Sequence, residues 1–432
     1  MYKKHIKTAL CLLLSCVLAL QLAGCAAAPE VPGTTSAKAD PAAPGAGTVD
    51  LMADIKSLSA RTGEKPSPED AALATDFALR LFRTASEADK NTLLSPISVL
   101  CALAMTANGA RGETLAQMEQ TLGLSREALN GFFHSYLETL SGDKVLKLAN
   151  SVWFTAEERF TVNRDFLQTN ADFYGADVYR SPFDDTTLAA INDWVSEKTD
   201  GMIPAILDRI PKEAVMYLVN ALAFDAKWAA PYESPQVSGG NFFLENGETR
   251  LVDYMHAKER EYLENELAVG FVKPYAGGKY AFAALLPKEG VSLDALVESL
   301  DGAALQRLLR GRSSETVFTS LPKFETDYAT ELSAVLQEMG MVLPFDELRA
   351  DFTDLGTSEA GNIFISRVIH KTYISVAEEG TRAGAATVVE MTEGEAFVED
   401  PKQVYLDHPF VYLLIDTETC LPLFLGVLRD PG

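Results

Sequence analysis

The stretch His370-Lys-Thr-Tyr-Ile-Ser-Val-Ala-Glu-Glu-Gly-Thr-Arg-Ala-Gly-Ala-Ala-Thr-Val-Val-Glu-Met-Thr-Glu-Gly-Glu-Ala-Phe-Val-Glu-Asp-Pro401 changes character part-way along. Tyr373 to Val376 is a short apolar and aromatic run of strand type, and the residues that follow it are mostly small. Read with period two from Thr381, one face carries Thr381, Ala383, Ala385, Thr387, Val389 and Met391, and the other carries Arg382, Gly384, Ala386, Val388, Glu390 and Thr392. The two charges, Arg382 and Glu390, share a face. Such a segment can be made as an exposed loop and still enter a sheet as a strand, with its small face inward and its charges outward. Composition alone favours the simpler reading, a flexible Ala/Gly loop.

Upstream of it, helical and strand signals alternate irregularly. Leu73, Phe77, Leu81 and Phe82 have helical spacing and open the folded body near residue 70. Ser95-Pro96 reads as an N-cap and first-turn proline for a buried helix through Val99, Leu100, Leu103, Ala104 and Met105 to Gly109. Ala189 to Met202 and Glu331 to Met339 read as further helices, stopped by Pro204 and Gly340. Val215 to Phe224, Tyr280 to Leu286 and Val411 to Ile415 read as strands. With no second linker and no fixed-period repeat, the body is expected to be one large α+β domain with large sheets.

The chain has 432 residues, 47% of them apolar, and 61 acidic against 37 basic side chains give a net charge of −24. That excess of acid repels phosphate backbones and anionic headgroups, so no nucleic-acid partner and no electrostatic membrane docking are expected. Cys11, Cys16 and Cys25 crowd the N-terminus and only Cys101 and Cys420 remain in the body, so no disulfide framework is implied. Lys3, Lys4 and Lys7 precede an apolar run from Ala9 to Leu22, the pattern of a secretory signal. The run closes on Leu22-Ala-Gly-Cys25, which resembles a bacterial lipobox and implies a signal over 1–24 and a lipidated Cys25. Losing the signal takes the net charge to −27. From residue 25 to 68 the Ala/Pro/Gly-rich composition reads as a flexible tether, leaving 69–432 as the domain of an exported, lipid-anchored protein outside a bacterial membrane.

Catalytic signatures are sparse. The five histidines, His5, His134, His256, His370 and His408, form no zinc or nucleophile-elbow motif, and neither a phosphate loop nor a dinucleotide glycine fingerprint occurs. Gly277-Gly278-Lys279 reads as a turn, and the acidic pairs Asp184-Asp185 and Glu378-Glu379 as solvated surface. No catalytic residue, metal site or cofactor is expected.

Glu378-Glu379-Gly380-Thr381 followed by Ala383, Ala385, Ala386 and Thr387 resembles the reactive-centre-loop hinge of inhibitory serpins. The resemblance runs in family order through Asn91 to Met118, Ala149 to Phe154, Ile191 to Val195 with Thr199 to Ile203, Leu218 to Ala221, Lys227-Trp228, Leu321 to Phe324, His408 to Phe410 and Leu423 to Gly426. It implies the serpin fold, with a large central sheet, two further sheets, eight to nine helices and an exposed loop over about 378–407. Carried over by position, Ser95, Ser98, Asn220 and His370 match the polar shutter beneath the central sheet, and Trp228, Lys323 and Glu378 the breach at its top, with Lys323 and Glu378 as an ion pair.

The function implied is suicide inhibition: a serine or cysteine protease attacks the loop, and the freed loop inserts as a new strand before the acyl-enzyme hydrolyses. Thr381 is expected to lie in solvent until then. Arg382 and Gly384 depart from the usual hinge residues, both on the outward face. Counting from the hinge points to Gly394 as the reactive position, whereas side-chain character favours Met391, Thr392 or Phe397, which suits elastase-like or chymotrypsin-like proteases. No basic residue occurs between Arg382 and Lys402, so trypsin-like enzymes are excluded. A monomer without glycosaminoglycan activation is expected. The rivals are a non-inhibitory surface binding protein on the same fold, a surface adhesin or ligand-binding lipoprotein for which the loop is incidental, and last an enzyme.

Overall fold

The computed structural model describes residues 47–58, 66–156, 160–211, 214, 216–359, 361–381 and 401–432. Its elements open with β1 (Val49–Asp50), α1 (Pro68–Ala85), β2 (Thr92–Leu94), α2 (Pro96–Ala107), α3 (Gly112–Leu122), α4 (Arg126–Thr139), β3 (Leu146–Thr155), β4 (Phe160–Val162), α5 (Arg164–Tyr174), β5 (Asp177–Ser181) and α6 (Asp185–Lys198). Next come β6 (Met216–Phe224), β7 (Ala226–Lys227), β8 (Val237–Phe243), β9 (Thr249–Glu259), β10 (Glu261–Glu264), β11 (Ala268–Pro274), β12 (Tyr280–Pro287), α7 (Leu293–Ser299) and α8 (Gly302–Arg310). The chain finishes with β13 (Val317–Pro322), β14 (Phe324–Glu331), α9 (Ser333–Glu338), β15 (Gly356–Ser358), β16 (Ile369–Ala377), β17 (Gly380–Thr381), β18 (Lys402–Tyr405), β19 (Phe410–Asp416) and β20 (Pro422–Leu428). Nine α-helices are present among the described residues, in an α+β arrangement.

Local chemistry explains most of these boundaries. In α1 the Ser67 side chain accepts from Asp70 N–H and Pro68 opens the first turn, while Phe77, Leu81 and Phe82 go inside. Every residue of α2 is buried, as an all-apolar helix requires. Its N-cap position is Ser95, but the expected cap bond is missing there: Ser95 Oγ has no partner among the described residues. α6 stops at Lys198 rather than Met202, because Asp200 and Gly201 turn left-handed with φ of 50° and 74°. Asp184 and Asp185 are both exposed, as expected, and Asp184 also accepts from the N–H groups of Thr186 and Thr187 and caps α6.

Sheet topology departs from expectation in one informative way. The largest hydrogen-bonded sheet has six strands in the order β10-β11-β12-β19-β20-β2, and a smaller one runs β18-β13-β9-β8. The expected central sheet is divided into two four-stranded halves, β1-β5-β3-β6 and β14-β16-β17-β7. Only Asp225 separates β6 from β7 in the chain, so a single line of backbone borders both halves. Along β6 the side chains split by face: Tyr217, Val219 and Ala221 pack with Ile191, Trp194 and Val195 of α6, whereas Met216, Leu222 and Phe224 join the main core.

Candidate functional site

The two halves meet at the hinge. β17 lies antiparallel to both neighbours, with Thr381 opposite Val376 of β16 and Ala226 of β7, and Gly380 opposite Ala377 and Lys227. Gly380 is required by closeness: a β-carbon there would come within 2.1 Å of Ala226 O and 2.7 Å of Lys227 Cα. Trp228 N–H donates to Glu379 O at 2.9 Å, Tyr232 N–H to Glu378 O at 2.9 Å, and Trp228 Nε1 to Ala377 O at 2.9 Å. The expectation that Thr381 waits in solvent is therefore corrected. It is 2% exposed, and its Oγ1 lies 2.5 Å from the hydroxyl of Tyr275, whose ring stacks on Trp228 at 4.5 Å. Burial holds that phenol protonated by pushing its pKa up.

Below Thr381 the ladder stops, and a narrow slot opens between the ends of β6 and β16, lined among others by Leu222, Phe224, Tyr373, Ile374, Leu414 and Phe424. β6–β7 and β16 run parallel to each other there, so a strand descending from Thr381 would be antiparallel to both.

Glu378 and Glu379 are half-buried, and Glu378 carries an ion pair. Glu378 Oε1 is 3.1 Å from Lys323 Nζ, which is also 2.8 Å from Asp253 Oδ2. Lys323 is held above its ordinary pKa, chiefly by the Asp253 hydrogen bond and then by Glu378, and the Glu378 carboxyl below its own, chiefly by a backbone N–H. With these side chains about a third exposed, the pair is worth no more than about 1 kcal/mol. It orients more than it stabilises.

A second polar group lies under the sheet. Ser98 Oγ donates to Asn220 Oδ1, and Asn220 Nδ2 to Asn150 Oδ1, its cross-strand partner on β3. The His370 ring is buried and Nε2 accepts the Ser95 N–H at 3.0 Å. Desolvation alone lowers its pKa to about 4, so the ring is neutral near pH 7. Cys101, a turn along α2, is also buried, with its pKa pushed up.

Asn150, Asp253 and Tyr275 were not singled out from the sequence. Asn150 lies in the quoted Ala149 to Phe154 stretch, and antiparallel register with Asn220 is the signal that could have found it. Nothing local marks Tyr275. Ala383, Ala385, Ala386, Thr387, Met391, Thr392, Gly394, Phe397 and Cys25 fall outside the described residues. Among the described residues no group of three or more His, Cys, Asp or Glu side chains is arranged to hold a metal ion.

Comparison with known proteins follows the same outline. The sequence model of the family described as Serpin (serine protease inhibitor) matches residues 72–431. Leukocyte elastase inhibitor A of Mus musculus is 30% identical over 380 residues, covering 83% of this chain and 98% of its own. The thermophilic serpin tengpin is 41% identical: its native-state structure superposes with a TM-score of 0.84 over 89% of this chain and 100% of its own, its latent-state structure with 0.76 over 85% and 100%. Human thyroxine-binding globulin, solved in complex with thyroxine, is 26% identical with a TM-score of 0.75, covering 84% of this chain and 99% of its own.

Proposed function

The chain belongs to the serpin family, and from that premise we propose that it is a suicide inhibitor of an elastase-like or chymotrypsin-like serine protease, with a cysteine protease as the other possible nucleophile class. One observation carries this reading: the hinge is already seated as β17 between strands that are laced above Thr381 and open below it. A loop that inserted in the register of Thr381 with Val376 would bring Ala383 opposite Ile374, Ala385 opposite Thr372 and Thr387 opposite His370. These loop side chains are small, and their partners are all buried. The inward face of the loop therefore suits the slot without a charge or a large ring to desolvate.

The chemistry belongs to the protease. Its nucleophile attacks a loop carbonyl between Met391 and Val398, the C–N bond breaks, and the new amine leaves with the proton the nucleophile gave up. The acyl-linked loop then adds downward as a strand, exchanging solvent for ladder hydrogen bonds on two sides. In this scheme Ser95, Ser98, Asn220 and His370 act as the shutter, and Trp228, Lys323 and Glu378 as the breach, with no catalytic role. The elastase-inhibitor relative and the Met/Thr/Phe character of the loop support the target class. Cys25 is proposed to anchor the molecule by lipid outside a bacterial membrane.

Incubation with pancreatic elastase and chymotrypsin, followed by denaturing electrophoresis, tests the reading. A covalent adduct is expected with at least one of them and none with trypsin. Clean cleavage by every protease of both classes, with no adduct, would overturn it.

A further inference from the structure

A buried ion pair lies against the Trp228–Tyr232 segment that holds the hinge. Lys273 of β11 and Glu259 at the end of β9 are 2% and 7% exposed, and Lys273 Nζ donates to Glu259 Oε1 at 2.8 Å. The ammonium also donates to Ala230 O at 3.2 Å and sits over the rings of Tyr232 at 4.2 Å and Trp228 at 5.4 Å. All three partners belong to the short segment from Trp228 to Tyr232. That same segment supplies the N–H groups that hold Glu378 O and Glu379 O, and the indole N–H that holds Ala377 O.

Ala229, Ala230 and Pro231 are exposed and carry nothing that could anchor the segment by side-chain packing. Its first half is tied to β11 and the turn beyond it by backbone bonds, Ala229 N–H to Pro274 O at 3.0 Å and Ala276 N–H to Lys227 O at 2.8 Å; from Ala230 to Tyr232 the support comes from beneath, from the two rings and the lysine that touches both rings and the Ala230 carbonyl. Two charges taken out of water are a poor source of stability, because apolar side chains of the same volume generally do as well. What the ammonium adds is geometry: one donor for Ala230 O, one for Glu259, and a charge centred on two ring faces.

We propose that Lys273 and Glu259 are positioning residues for loop insertion, fixing the Trp228–Tyr232 segment as the receptor that keeps the hinge seated in the sheet. The consequence for protease trapping rests on the inhibitory reading above; the positioning itself does not. With the pair removed, the end of the segment at Tyr232 loosens first, the N–H groups of Tyr232 and then Trp228 hold Glu378 O and Glu379 O less well, and the hinge is seated less firmly when the loop inserts.

The test uses the full chain carrying Lys273→Met with Glu259→Leu, which removes both charges at similar volume, and separately Glu259→Gln, which keeps an acceptor for the lysine. Amide hydrogen exchange of Trp228 and Tyr232 in the uncleaved protein is expected to quicken about tenfold or more in the double variant and less in Glu259→Gln, while β12 amides stay as they were. The number of inhibitor molecules consumed per protease trapped is expected to rise several-fold in the double variant. Unchanged exchange at both amides in both variants would overturn the proposal. Should the unmutated chain trap no protease at all, the inhibitory reading fails, and the exchange result still judges the positioning role.

Discussion

Thr381 is the residue on which the account turns most sharply, because its side chain is sealed between Val376, Ala226 and the Tyr275 hydroxyl before any protease arrives. An arginine cannot occupy that seat without leaving an unpaired charge in the core, a cost of several kcal/mol. Thr381→Arg is expected to expel the hinge and turn the inhibitor into a substrate that is cleaved without trapping, read as the ratio of cleaved chain to covalent adduct. An unchanged ratio would sink the insertion scheme. His370 supplies a second test at this scale. Its folded pKa of about 4 lies below the ordinary value of 6.5, so the unfolded chain takes up a proton that the buried ring refuses. Stability present above pH 6.5 is therefore lost as pH falls towards 4, by up to about 3 kcal/mol. His370→Gln, which keeps an acceptor for Ser95 N–H, should flatten that part of the thermal-unfolding profile; a parallel profile in the variant would show that His370 does not titrate there.

Elements differ in how far the sequence discloses them. α2, β12 and β19 are legible because each is written in a single uninterrupted period, an all-round apolar helix or a run of apolar and aromatic residues of strand length, whereas β16 shows only its second half, from Tyr373 to Val376, because its first half buries the polar His370 and Thr372. The polar residues beneath the sheet are partly legible by resemblance, and Asn150 joins them only once β3 and β6 are in register. The seating of β17 is not legible, since it depends on Tyr275, which stands 106 residues away in the chain. The Lys273–Glu259 pair is hidden for a related reason. A lysine in a strand reads as an outward position until the packing shows a carboxylate and two rings around it. Division of the central sheet is likewise a property of two strands that fail to bond, for which no residue pattern exists.

At the scale of the whole molecule, the body and its N-terminal segment make separate claims. The acidic charge and the lipobox-like Leu22 to Cys25 bear on where the protein resides and leave the insertion mechanism untouched. Cys25→Ala is expected to move the protein from the membrane fraction to the medium, measured by fractionation; equal retention would remove the anchor. For the body, the central claim is that cleavage lets the loop fill the space between β6 and β16. Hydrogen exchange across Met216–Phe224 and Ile369–Ala377, before and after cleavage of the loop by an elastase-like protease, addresses it most directly. The account predicts that amides along both facing edges become strongly protected on cleavage, down at least to His370. Exchange that stays the same on both strands in the cleaved protein would contradict it.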